Sequence, residues 1–211
     1  MVQIQEFWTF VTDLVLSLQC AYCAYNIRHI KRSAHISSRA WFYIFIAISV
    51  AAMAGAIHHG FKHILPIPVY DSLRLTVLLC LNTTAFLLSR SLLFFALPST
   101  DKWHSKITGF LALKLIIFIV FAFVERKFIV GLVDYASAFI IAFFIFTALR
   151  SYSGARWMLA GVCVSLFAAS IQVLKIAPSE EFNHNDLYHV IQMFGIYLFY
   201  KGAPQLQDRI A

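Results

Sequence analysis

Residues 40–61 read AWFYIFIAISVAAMAGAIHHGF, a run without a single Asp, Glu, Lys or Arg. Coiled as a helix, such a run crosses about 30 Å, the thickness of a bilayer's hydrocarbon core. Trp41 and Tyr43 stand at its start, where aromatic side chains favour the membrane–water interface. Ala51, Ala52, Ala54, Gly55 and Ala56 form a small-residue patch that lets a second helix come close, and His58-His59-Gly60 ends the run. The expectation from this stretch is a membrane-spanning helix.

Runs of the same kind recur along the whole chain. They cover about Ile4–Tyr25, Ala40–Phe61, Asp71–Leu88, Ile107–Val124, Phe128–Leu149, Trp157–Leu174 and Asn185–Tyr200. With 61% hydrophobic and only 13% charged residues among 211, against the roughly 25% charged of a soluble domain, no length is left for a soluble domain. The predicted fold is all-α: a polytopic, seven-transmembrane helix bundle, with residues 1–211 forming a single domain. The start of the chain lacks a basic n-region and a small-residue cleavage site, so the first run is expected to remain as a helix.

The net charge of +7 does not point to nucleic acid, because Lys and Arg sit in short loops between apolar runs rather than on one face. Arg28, Lys31, Arg32, Arg39, Arg90, Lys102, Lys106, Arg150, Arg156, Lys201 and Arg209 fall in alternate loops and the C-terminal stretch. The positive-inside rule then predicts a non-cytoplasmic N-terminus and a cytoplasmic C-terminus. Cys20, Cys23, Cys80 and Cys163 lie inside apolar runs and read as small packing residues rather than a disulfide framework. Lys114, well inside the fourth run, reads as a side chain snorkelling to the headgroups.

Alternating helix directions bring the remaining polar residues to one leaflet. His58 and His59 end the second run there, Asp71 begins the third, and FNHNDLYHVIQ at 182–192 opens the seventh with His184, Asp186 and His189. Asp134 enters from the same side. Singly, each has a plain role; Asp71, for example, suits the N-cap of its helix. Jointly, imidazoles and carboxylates in a partly dry pocket suit zinc, which takes three protein ligands and lowers the pKa of a bound water to about 7. His184 and His189 are about 140° apart around a regular helix, so they share a metal only if His184 precedes the first turn; Asp186 with His189 is the competing pair.

This order of residues resembles a superfamily of seven-helix membrane hydrolases that includes alkaline ceramidases and the progestin and adipoQ receptors. The resemblance extends over almost the whole chain through short motifs. It implies a zinc-dependent hydrolase of lipid metabolism that cleaves a ceramide-like amide or an ester. His59 (or His58), His184 (or Asp186) and His189 would be metal ligands and Asp71 the water-orienting carboxylate. Two departures stand out. The family's last pair is His-x-x-x-His, whereas Asn185 stands four before His189; and where the family carries a Ser one turn before its helix-two His, this chain has Ala54 and Gly55. The partners expected are the bilayer and a membrane lipid substrate. The alternatives are a proton-coupled transporter or channel, and a receptor-like protein with a structural metal.

Overall fold

A computed structural model describes residues 4–32, 34–125 and 127–210. The described residues form seven α-helices: α1 (Phe7–Asn26), α2 (Ile36–Phe61), α3 (Ile67–Ala96), α4 (Lys102–Val124), α5 (Phe128–Ala148), α6 (Ala155–Leu174) and α7 (His184–Gly202). Short 3-10 turns at Arg28–Arg32 and Ala203–Gln205 complete the regular structure, and there is no strand among the described residues. Helices α1 to α6 are long and apolar enough to cross a membrane. The seventh is more polar, because its first two turns carry the histidines and the carboxylate.

Helix starts depart from the sequence expectation where a cap extends them. α2 begins at Ile36 because the Asp208 carboxylate accepts hydrogen bonds from the backbone N–H groups of Ile36 and Ser37, both at 2.7 Å. α3 begins at Ile67 and carries Pro68 in its first turn, where a missing N–H costs nothing. Asp71 therefore lies inside that helix and is not its N-cap. Asp101 caps α4 by accepting from Trp103 N–H at 2.7 Å.

Six helices form a closed ring in the order α1, α2, α3, α5, α6, α7 and back to α1. α4 lies outside it, against α3 and α5, and buries only His104 and Ala122. It is nonetheless anchored: Lys114 Nζ lies 2.6 Å from Asp134 Oδ1 on α5 and donates to Ser137 Oγ at 3.2 Å. The snorkelling expected of Lys114 is thus replaced by an ion pair with a carboxylate on the adjacent helix.

The two ends of the ring differ. At one end Trp41 packs on Phe45 and Phe199, with ring centroids 5.8 and 4.9 Å away, and Phe95 packs on Phe146 at 5.5 Å. The segment after α7 ties this end down: besides capping by Asp208, Arg209 N–H donates to Phe94 C=O at 2.7 Å. Gly154, the residue before α6, has φ +80, and a Cβ there would lie 2.7 Å from Gly202 O. Gly154→Ala combines left-handed backbone strain with a clash against backbone, so it is expected to cost about 1–3 kcal/mol. The melting temperature in detergent measures this, and an unchanged value would contradict the close α6–α7 approach.

Candidate functional site

The opposite end of the ring is polar, and α7 organises it. Asn183 caps the helix by accepting Asn185 N–H at 2.8 Å, while Asp186 Oδ2 accepts Asn183 N–H at 2.7 Å. This is a capping box in which Asn and Asp take the usual places of Ser and Glu. The second oxygen of Asp186 accepts the Thr9 hydroxyl of α1 at 2.6 Å. Asp186 is wholly buried, with each oxygen engaged.

One turn further, His189 faces α1 as well. Its Nδ1 lies 3.0 Å from Thr12 Oγ1 and its Nε2 lies 3.2 Å from Asp13 Oδ1. The Thr12 hydroxyl has helix carbonyls within reach at Trp8 (2.9 Å) and Thr9 (3.2 Å). If it donates to one of them, Nδ1 must supply the proton to Oγ1; if it donates to Nδ1, the ring proton is on Nε2. In the first case a protonated Asp13, or the ion pair formed by moving its proton to Nε2, and in the second an ionised Asp13 accepting from Nε2–H, places one proton at the contact between Oδ1 and Nε2. Asp13 and His189 are thus a proton-sharing pair inside the bundle.

Gly55 makes room for this pair. A Cβ at position 55 would sit 2.8 Å from Asp13 Oδ2, so the carboxylate occupies the space that any side chain there would fill. Position 55 is also one of the two at which the resembled hydrolases would carry a Ser. Here the polar group at that place comes from α1 instead of α2.

Asp13 and His189 open onto a cavity of about 340 Å³ lined by residues from all six ring helices. Its walls are apolar at Leu16, Ile48, Val77, Leu78 and Leu81, and its mouth is charged. There His59 Nδ1 lies 2.6 Å from Glu6 Oε2, and Lys62 pairs with the other Glu6 oxygen. Burial pushes the Glu6 carboxyl up, but the Lys62 hydrogen bond and neighbouring His59 outweigh it and hold Glu6 below its ordinary range. His58 stacks on Tyr70, ring centroids 4.4 Å apart, and Arg74 also lines the cavity. Three buried polar atoms on the wall, His58 Nε2, Thr84 Oγ1 and Gln172 Oε1, have no hydrogen-bond partner among the described residues.

The sequence-predicted residues are therefore divided. His58, His59 and His189 share the cavity wall; Asp71 and His184 do not line it. His184 is the first residue of α7, following the cap rather than preceding the helix. Asp186 lies beside His189 but is consumed by Thr9 and the capping box. Among the described residues, no three His, Cys, Asp or Glu side chains form a group that could hold a metal. As arranged, His189 has a partner at each ring nitrogen, and Glu6 engages Nδ1 of His59. Glu6, which precedes α1, and the α1 residues Thr9, Thr12 and Asp13, with Arg74 of α3, were absent from the sequence expectation. Asp13 carried a usable signal, an ionisable residue nearly two turns inside an apolar segment.

The model of a family of unknown function, DUF6962, matches residues 8–208, and the chain belongs to that family. No curated protein and no solved structure matches the chain.

Proposed function

We propose that this member of the DUF6962 family is an integral membrane hydrolase acting on a lipid with an acyl amide or ester linkage, with Asp13 and His189 handling the proton of the attacking water. The observation that carries the reading is the Asp13–His189 pair exposed on an otherwise apolar cavity inside a membrane bundle. Apolar walls suit an acyl chain, and a carboxylate–imidazole pair is the commonest equipment for moving protons at a carbonyl. In the reaction the water oxygen bonds to the acyl carbon and the pair takes a water proton. The same proton passes to the departing nitrogen or oxygen as its bond to carbon breaks, giving a fatty acid and an amine or alcohol. The likeness in order of His59, Asp71 and His189 to the seven-helix hydrolases supports hydrolysis, although zinc enters no step here.

α7 acts as a seventh span, packed between α1 and α6, and the basic loops put the cavity end on the non-cytoplasmic side. The test is release of free fatty acid from a panel of acyl amides and esters by detergent-purified protein, with and without chelator. Release that survives chelation is expected. Loss on chelation, restored by zinc, would return the chemistry to a metal, and no release from any member by folded protein would count against hydrolysis. A second reading, proton-coupled transport, draws on the Lys114–Asp134 pair within the bundle. It predicts proton uptake by proteoliposomes without breakdown of the solute.

A further inference from the structure

We propose that the molecule taken by this cavity is an anionic amphiphile: a single-chain lipid whose phosphate or carboxylate is seated between Arg74 and His58, with its chain running down α3 toward Thr84. The proposal rests on reading the cavity as a lipid site, and it deepens that reading by naming the head.

Tyr70 brings the two anion-binding groups together. His58 stacks against its ring at 4.4 Å, and the guanidinium carbon of Arg74 lies 5.8 Å from the same ring centre. His58 Nε2 is buried with no partner among the described residues, so a ligand oxygen is what would satisfy it. Arg74 presents five N–H donors in a planar fork, enough to serve a protein neighbour and a phosphate or carboxylate together. The carboxylates at the mouth do not compete strongly for this position: Glu6 is held by Lys62 and His59, and Asp13 by His189.

The remainder of the cavity gives the ligand its shape. Arg74 and Thr84 are ten residues apart on α3, about 15 Å along the axis, with Val77, Leu78 and Leu81 between them. Thr84 is buried and its hydroxyl has no partner among the described residues, which marks the inner end as able to receive a polar atom. Gly55, where Asp13 sits, is three residues from His58 on α2, so the proton-sharing pair lies about 4.5 Å along the helix axis from the anion seat. An acyl linkage only a few bonds from the anionic group meets both.

Equilibrium binding in detergent tests this without turnover, using lysophosphatidate and monooleoylglycerol (the same chain without phosphate), both as non-hydrolysable ether-linked analogues, and inorganic phosphate. Lysophosphatidate is expected to bind at least about tenfold more tightly than monooleoylglycerol. Arg74→Gln is expected to abolish that difference while leaving monooleoylglycerol binding unchanged, and His58→Gln to reduce it in the same direction should the arginine variant not fold. Equal binding of the two lipids, or an Arg74→Gln protein with undiminished preference, would overturn the proposal. Displacement of lysophosphatidate by inorganic phosphate at comparable concentration would overturn the lipid as source of the anion. An anion preference in a protein that hydrolyses no acyl lipid would sink the hydrolase reading and leave this one standing.

Discussion

Under the proposed hydrolysis, Asp13→Asn is expected to lower fatty-acid release by about 10²- to 10⁴-fold, the usual contribution of a positioned acid–base group, with little change in melting temperature. The amide keeps the size and shape of the carboxylate, so it still fits over Gly55. It cannot accept a proton, however, and the proton shared with His189 is lost. An unaltered rate in the folded variant would remove Asp13 from the chemistry. Thr12 marks the boundary of the effect: it touches the far nitrogen of His189 and acts only by orienting the ring.

Lys114→Met is expected to cost about 3–5 kcal/mol, because it leaves the Asp134 carboxylate buried without its cation. The Asp134 side chain is only 3% exposed, so water does not replace the lost partner. Removing both charges together, as Lys114→Met with Asp134→Leu, is expected to restore most of that stability. Thermal unfolding of the single and double variants measures the difference. A single variant as stable as the wild type would mean that Lys114 does not hold α4 to the ring, and a double variant no better than the single one would locate the damage elsewhere than in the unpaired charge.

The helical architecture was legible because apolar run length translates directly into membrane-crossing helices. The six apolar runs expected in 4–174 correspond to α1 to α6, with ends that move by up to eight residues, as where α3 runs on to Ala96, and at α2 a distant group supplies the cap. Asp208, 172 positions from Ile36, is such a group, and no local pattern reveals it. At the site, the gathering of His58, His59 and His189 at one end followed from alternating helix direction. Which residue meets which did not, because it depends on the ring order. Placing α1 next to α7 turns Thr9, Thr12 and Asp13 toward Asp186 and His189. Nothing in the spacing within either helix shows that neighbourhood. The zinc expectation treated His59 and His189 as unengaged ligands, and the partners that engage them come from the N-cap and first two turns of α1.

The adjacency of α1 and α7 also sets an order of events in biosynthesis. Thr9 and Thr12 stand 177 positions before their partners Asp186 and His189, and Asp13 likewise precedes His189, so the α1 residues are made well before the groups they meet. While α2 to α6 are being synthesised, α1 carries a carboxylate whose imidazole does not yet exist, in a segment apolar enough to enter a bilayer. Insertion of the first helix must therefore precede satisfaction of its polar face. The cavity and its proton-sharing pair come into being only when the seventh helix arrives to close the ring.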